Sequence, residues 1–269
     1  MPSYVIIGAS RGIGYQFLKT LSRDPSNIII GTARNVGPIQ AKVTADKLTN
    51  VHIIEADLDS PSSLHAAAGQ TSKITGGAAD YLIVNGAYLN DHLAAFKPYD
   101  FLGKEEYFME QLDRSMHTNV AGVLFAINAF LPLVKKSIVK KVIVISSAMG
   151  DIDTILEAGV DVSVPYSMSK AAVNILVAKY AVSFKNEGIS FLSLCPGMVL
   201  TQVESYEAMT PELIAQYDFL KQLFRNIAPD FKGPMLPEES VEKQLKVINN
   251  LSIENTGAYL SHKGTKEWV

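Results

Sequence analysis

The chain has 269 residues, of which 48% are hydrophobic and 19% are charged, and its formal net charge is -3. This composition is typical of a globular α/β protein with a substantial core, and the slightly acidic balance argues against nucleic-acid binding. The longest apolar stretch, residues 120–134, is too short to span a bilayer, so we expect no membrane association. A strand-like run begins at residue 4, which predicts no signal peptide. One cysteine excludes an internal disulfide, and the five histidines lack metal-ligand spacing, so we expect a cytoplasmic protein without a metal.

Short β-branched runs alternate with helical patterns along most of the chain. Buried strands are predicted at residues 4–9, 27–33, 51–57, 80–85, 141–146 and 189–195, with a short last strand at 256–261. Helices are predicted at residues 12–23, 37–48, 61–75, 104–135 and 166–186. Continuously hydrophobic strands are typical of a parallel sheet that is covered on both faces. The order predicts one α/β domain over residues 1–269, with a doubly wound parallel sheet and right-handed crossovers.

A glycine-rich stretch, "IIGASRGIGYQF", leads from the first predicted strand into the first helix. Gly8, Gly12 and Gly14 form G-x-x-x-G-x-G, a relative of the dinucleotide-binding fingerprint. Glycines let the backbone approach a pyrophosphate, which then binds at the helix N-terminus. Glycines at a turn can also be purely steric, but this position between strand and helix favours a dinucleotide site.

The end of the second predicted strand indicates which dinucleotide binds. An NAD site usually carries a carboxylate there for the ribose hydroxyls. This chain has Arg34 at that position, and Arg11 lies within the glycine loop. Each arginine alone could simply be a surface residue. Together the two guanidinium groups favour the 2′-phosphate of NADP(H) over NAD.

A second motif, "PYSMSKAAVNIL", places Tyr166 and Lys170 one helical turn apart at the start of a long apolar helix. One interpretation is a helix end whose two amphipathic side chains reach towards water. The other is a proton donor beside a cation that tunes its pKa.

With the glycine loop, "VNGA", "NVAG", "ISS", "YSMSK" and "PGMVLT" in this order, the chain resembles the short-chain dehydrogenase/reductase family over nearly its whole length. The tail "TGAYLSHKGTKEW" is similar to that of the short carbonyl-reductase branch, which includes sniffer-type and C-factor-type proteins and fungal ketoreductases. The resemblance implies a Rossmann fold and an oxidoreductase.

The resemblance also implies roles for four catalytic residues. Tyr166 would donate a proton to a carbonyl oxygen, and Lys170 would lower the pKa of this phenol and bind the nicotinamide ribose. A free phenol titrates near pH 10, so donation near neutrality calls for a lowered pKa. Ser147 would bind the substrate oxygen, and Asn119 would hold a water that links Lys170 to solvent. Taken singly, Ser147 could be a strand-end cap and Asn119 a satisfied polar group in a helix.

The residues that the resemblance assigns to the cofactor follow the ends of the predicted strands. They are Gly8, Ser10, Arg11, Gly12, Ile13, Gly14, Arg34, Asp57, Leu58, Asn85, Gly86, Ala87, Asn119, Tyr166, Lys170, Pro196, Gly197, Val199 and Thr201.

Two features depart from the family pattern. Ile7 and Val84 stand where the family usually has polar residues, and we expect them to make an apolar contact between neighbouring strands. Ser147 and Tyr166 are 19 positions apart, more than is usual, and the extra segment, residues 150–165, is expected to form a loop beside the pocket.

Substrate binding is predicted to involve the aromatic stretch at residues 88–108 and a lid at about residues 198–237. The candidate lining residues, each of which could instead fill the core, are Tyr88, Phe96, Tyr99, Phe101, Tyr206 and Phe219. We therefore expect an NADPH-dependent reductase for an apolar or aromatic ketone or aldehyde, assembled as a homodimer or homotetramer. The alternatives are a non-redox isomerase or cyclase on the same scaffold, and an NADP-binding regulator without turnover.

Overall fold

The computed structural model describes residues 1–90, 95–203 and 205–269. Its centre is a parallel sheet of seven strands in the order β3-β2-β1-β4-β5-β6-β7. The strands are β1 (Ser3–Ile7), β2 (Ile28–Ala33), β3 (Val51–Glu55), β4 (Tyr81–Val84), β5 (Lys141–Ile145), β6 (Ser190–Cys195) and β7 (Ala258–Ser261). This order confirms the doubly wound Rossmann-type fold. The chain reverses its direction of winding between β1 and β4, where the carboxyl ends of such strands form a ligand crevice.

Helices cover both faces of the sheet. They are α1 (Gly12–Leu21), α2 (Val36–Ala45), α3 (Pro61–Thr75), α4 (Glu105–Met116), α5 (Gly122–Lys136), α6 (Ile152–Ala158), α7 (Val164–Phe184), α8 (Pro211–Phe224) and α9 (Pro237–Asn249). The predicted helix at 104–135 is interrupted by a π-helical turn at His117–Ala121. Together these segments form a helix, 105–136, that is long and apolar enough to cross a membrane, but 56% of its most apolar window is buried in the fold. Such burial is typical of a core helix.

Two separate hydrophobic cores explain the continuous apolar strands. Val5 and Ile7 face a core that includes residues of α3, α5 and α7, whereas Tyr4 and Ile6 face a core built with α1, α2 and α9. Alternate residues of β1 are therefore buried on opposite faces of the sheet. The register pairs Ile7 with Val84, and both side chains belong to the first core. The predicted apolar contact between β1 and β4 is confirmed.

The expectation of a loop at residues 150–165 is wrong, because most of its first half is helical. Asp151 caps α6 by accepting a hydrogen bond from the Thr154 backbone N–H at 2.9 Å. Gly159 ends the helix in the left-handed conformation, with φ of 71°. Both are ordinary helix start and stop signals. Ala158 then packs with Phe224 of α8 in a small separate cluster.

Candidate active site

The glycine loop has a shape that larger residues would destroy. Gly8 has φ of 83°, and a Cβ added to it would lie 2.6 Å from the Gly86 Cα. A Cβ on Gly14 would lie 2.2 Å from the Gly8 carbonyl oxygen. The Asn85 side chain donates a hydrogen bond to the same oxygen at 2.8 Å. The ends of β1 and β4 are thus in close backbone contact at the carboxyl edge of the sheet. We call this contact region, formed by Gly8, Gly14, Asn85 and Gly86, the glycine cradle.

The N-terminus of α1 lies directly above this cradle. Arg11 occupies the N-cap position and, in the structure as described, makes no capping hydrogen bond with its side chain. Ser10 and Arg11 are exposed, whereas Ile13 packs against the core under α1. Gly12 approaches Thr201 so closely that an added Cβ would lie 3.2 Å from the threonine side chain. These features fit a dinucleotide pyrophosphate, which binds backbone N–H groups at a helix N-terminus and requires close backbone approach.

The other predicted cofactor residues surround the same edge. Arg34 follows β2 and is exposed, and Asp57 and Leu58 follow β3. A Cβ on Gly86 would touch Leu58 at 3.5 Å, so the segments after β3 and β4 lie side by side. Ala87, next in the chain, is exposed. The arrangement brings these segments together as the sequence analysis expected, and it leaves both arginines accessible.

The segment after β6 also lies at the carboxyl edge of the sheet and borders the ligand crevice. Gly197 has φ of 81°, and an added Cβ would lie 2.8 Å from the His262 ring. The Pro196 carbonyl accepts a hydrogen bond from the buried Ser240 hydroxyl at 2.7 Å. Val199 forms a parallel bridge with Met235, which joins the two ends of the predicted lid.

Three predicted catalytic side chains meet at the start of α7. Tyr166 is half-buried, and Lys170, one turn later, is only 4% exposed. The Lys170 Nζ lies 5.5 Å from the centroid of the Tyr166 ring and donates a hydrogen bond to the Ile145 carbonyl at 2.8 Å. Ser147, two residues beyond β5, lies close enough to Tyr166 for its hydroxyl to lower the pKa of this phenol. The tyrosine and the lysine therefore face each other at the crevice, not away from it.

The expected lowering of the Tyr166 pKa is wrong for this structure. Burial raises the pKa of Tyr166 to about 12, although the nearby Ser147 hydroxyl acts in the opposite direction. Burial also lowers the pKa of Lys170 to about 8. Desolvation disfavours the charged form of each group, and it is the largest cause of both shifts.

Asn119 lies in the π-helical turn and is 1% exposed. Its side-chain oxygen accepts from the Tyr88 N–H at 2.6 Å, and its amide donates to the Tyr88 carbonyl and to the Ser169 hydroxyl, each at 2.9 Å. Asn119 thus fastens the segment after β4 to α7. Its predicted water-holding role stays a prediction.

The candidate substrate-binding aromatics have different environments. The Tyr88 hydroxyl donates to Gln111 at 2.8 Å, and Phe96 packs on Phe101 with ring centroids 5.5 Å apart. Tyr99, Tyr206 and Phe219 are exposed. A narrow cleft reaches Tyr166 and is lined by Leu89, Asn90, Ser115, Ser163, Pro165 and Tyr166. Part of the predicted lining, residues 91–94, and position 204 of the predicted lid lie outside the described residues.

The fold and the motif residues define a nicotinamide-type dehydrogenase scaffold, and comparison with known proteins identifies the family. The short chain dehydrogenase family model matches residues 3–211. The chain belongs to the short-chain dehydrogenase/reductase family of oxidoreductases.

Fungal relatives match along the entire chain. The short-chain dehydrogenase/reductase AacuF of Aspergillus aculeatus is 42% identical over 279 residues, and atnB of Arthrinium sp is 39% identical over 269 residues. Both matches cover 100% of each protein. Among solved structures, an NADPH-bound carbonyl reductase from chicken fatty liver superposes with a TM-score of 0.74 at 24% identity. The carbonyl reductase Sniffer of D. melanogaster has a TM-score of 0.75 at 20% identity, and both matches cover 98% of each chain. At these identities the two structures establish the fold alone.

Proposed function

We propose that this protein is an NADPH-dependent carbonyl reductase that reduces an apolar or aromatic ketone or aldehyde, with Tyr166 as the proton donor. The observation that carries the proposal is the meeting of Ser147, Tyr166 and Lys170 at the carboxyl edge of the sheet, beside the glycine cradle. The fold shared with a chicken carbonyl reductase that binds NADPH supports the same conclusion.

The choice of NADP(H) rests on charge at the ends of β1 and β2. Arg11 and Arg34 are both exposed there, and the position directly after β2 holds Arg34, not an acidic side chain. Guanidinium groups bind phosphate through paired charge-assisted hydrogen bonds. These residues would bind the 2′-phosphate, while the glycine cradle and the first turn of α1 would bind the pyrophosphate.

NADPH, when bound, supplies the hydride for a carbonyl carbon. The protein binds and orients the substrate oxygen through the hydroxyl groups of Ser147 and Tyr166. Tyr166 then donates its phenolic proton to that oxygen, and Lys170, one turn away, stabilises the phenolate that remains.

The Tyr166 phenol is protonated at neutral pH, which suits the reductive direction. Its raised pKa of about 12 makes it a weaker acid than a free phenol, but the proton is present for donation. The alkoxide formed from a carbonyl is a stronger base than a phenolate, so this proton transfer is downhill. Oxidation of an alcohol would require the phenolate, which is scarce at neutral pH.

The test follows the absorbance of NADPH at 340 nm, the reduced-nicotinamide band, with a panel of aromatic ketones, aldehydes and quinones. We expect consumption by the parent and a loss of at least about a hundredfold in kcat for Tyr166→Phe, since general acid catalysis typically contributes that much. NADPH binding, measured by fluorescence titration, should be unchanged in this variant. Equal turnover by Tyr166→Phe would refute the proton-donor role. A parent that binds NADPH but consumes none with any compound would instead favour a non-redox or regulatory function.

The assembly into a homodimer or homotetramer also remains a prediction. Ile175 and Val182 expose 64% and 79% of their surface on the outer face of α7, which suits a helix-packed interface.

A further inference from the structure

The last 14 residues, "TGAYLSHKGTKEWV", contain two aromatic residues that the proposed mechanism does not use. Tyr259 lies on β7, an edge strand of the sheet, and Trp268 is the only tryptophan of the chain. Their ring centroids are 4.4 Å apart, and Trp268 is 4% exposed. The pair packs with Ala148 and Cys195 in a small cluster beside the catalytic residues.

The Tyr259 hydroxyl donates a hydrogen bond to the Ser147 carbonyl oxygen, across 112 positions of the chain. The same oxygen accepts the Gly150 N–H at 2.9 Å, which closes the turn after β5. The neighbouring Ala148 N–H donates to the Cys195 sulfur at 3.2 Å. The turn that carries Ser147 is therefore held by the last two strands of the sheet.

The opposite side of this turn lies against the helix that carries Tyr166. A Cβ added to Gly150 would be 2.7 Å from the Lys170 backbone carbon. The turn is thus enclosed between α7 on one side and the Tyr259–Trp268 pair on the other. Its position decides whether the Ser147 hydroxyl reaches the Tyr166 phenol.

Ser147 needs an anchor because it lies beyond the regular sheet. The strand β5 ends at Ile145, and the Ser146 N–H makes a further bond to the Leu194 carbonyl at 2.8 Å. The Ser147 backbone continues in an extended conformation, with φ of -158° and ψ of 144°. A side-chain donor at its carbonyl takes the place of a neighbouring strand.

We propose that Tyr259 is a positioning residue that holds Ser147 beside Tyr166, and that Trp268 fixes the Tyr259 ring. This inference rests on the proposed carbonyl reduction. The C-terminal segment thereby contributes to catalysis through the position of Ser147.

The test compares Tyr259→Phe with the parent and with Tyr4→Phe. Tyr259→Phe keeps the ring packing and removes only the hydroxyl. Tyr4→Phe is the matched control, because it removes the hydroxyl of a buried tyrosine that stacks on Tyr81 near the amino ends of β1 and β4, away from the site. We expect kcat of Tyr259→Phe to fall about tenfold, the effect of losing one positioning hydrogen bond. The NADPH Kd should stay within about twofold of the parent, and Tyr4→Phe should retain the parental kcat.

Two further readouts separate positioning from general stability. The alkaline limb of the kcat/KM profile should change in Tyr259→Phe, because the Ser147 hydroxyl, which lowers the Tyr166 pKa, moves away from the phenol. Crystal structures of the parent and the variant should show a longer Ser147 Oγ–Tyr166 Oη separation in the variant. An unchanged separation together with a kcat within twofold of the parent would overturn the inference.

A second variant covers the possibility that Tyr259→Phe does not fold. Trp268→Leu retains the Tyr259 hydroxyl but removes the ring that supports it, and we expect the same direction of change in kcat and in the separation. A parental kcat and separation in a folded Trp268→Leu would count against the role of the pair. If the parent reduces no carbonyl, the proposed function fails, while the crystallographic separation still decides whether Tyr259 positions Ser147.

Discussion

Replacing Lys170 with methionine should stabilise the cofactor-free protein at neutral pH while it abolishes carbonyl reduction. Lys170 is 4% exposed, and burial lowers the pKa of its ammonium to about 8. Its one structural hydrogen bond among the described residues runs to the Ile145 carbonyl at 2.8 Å. A buried cation with so few partners costs stability and is retained for its chemistry.

The expected gain in the free energy of unfolding follows from the lowered pKa of Lys170. A change from the ordinary value of 10.5 to about 8 corresponds to a cost of about 3 kcal/mol in the free energy of unfolding when the amine is protonated. Methionine has a similar shape and removes this cost, but it also loses the hydrogen bond to Ile145, worth about 1 kcal/mol. We therefore expect Lys170→Met to be about 2 kcal/mol more stable than the parent near pH 7.

The sign of the pH dependence is fixed by the same shift. The folded parent releases the Lys170 proton near pH 8, whereas the unfolded chain keeps it up to about pH 10.5. Between these values the unfolded state binds more protons, so this residue adds stability to the parent as the pH rises. The methionine variant has no proton to release at this position, so its stability does not rise in this way. The difference in the free energy of unfolding between the variant and the parent should therefore shrink by about 2 kcal/mol between pH 7 and about pH 9.5.

The assay is urea-induced unfolding of the parent, Lys170→Met and Lys179→Met at both pH values, followed by circular dichroism. Lys179 is exposed on the same helix, so its replacement should change the free energy of unfolding by less than about 0.5 kcal/mol at either pH. If Lys170→Met were less stable than the parent near pH 7, or if the difference did not depend on pH, the argument from buried charge would be refuted.

Two further predictions concern the cofactor site. Gly14→Ala should cost about 3 kcal/mol or more and abolish NADPH binding, because its Cβ would meet the Gly8 carbonyl at 2.2 Å and Asn85 at 2.7 Å. Gly69→Ala, in α3 with no atom within 4 Å of the added Cβ, should instead stabilise by about 0.5–1 kcal/mol in thermal or urea unfolding. Arg34→Asp should raise KM for NADPH by about tenfold or more and improve use of NADH, as measured by initial rates. An unchanged preference between the two cofactors would show that Arg34 does not bind the 2′-phosphate.

The central strands were predictable because they are buried on both faces. A run of apolar residues such as "YVII" in β1 is longer than an amphipathic strand would allow, and the two cores account for it. A search for apolar runs does not find α9, because the residues of this helix are polar on average. Its start signals were nevertheless present, with Pro237 in the first turn followed by Glu238 and Glu239.

The arrangement of the candidate catalytic residues Tyr166 and Lys170 was predictable because local spacing on one helix sets their geometry. Tyr166 and Lys170 face one another simply because they are four residues apart. Their pKa values were not predictable, because desolvation depends on the whole fold that surrounds α7. The link between Tyr259 and Ser147 joins residues 112 positions apart, and no local pattern encodes such a contact.

The proposed site therefore depends on an edge of the sheet that is remote in sequence from the catalytic motif. Among the described residues β7 pairs only with β6, and Trp268 packs on the Tyr259 ring. An edge strand with a single neighbour opens at a lower free-energy cost than the central strands. Because the Ser147 carbonyl is bound by Tyr259, such an opening would release the turn after β5 while the remaining sheet is intact. In the positioning role proposed for Tyr259, burial of the aromatic pair protects the alignment of Ser147 with Tyr166.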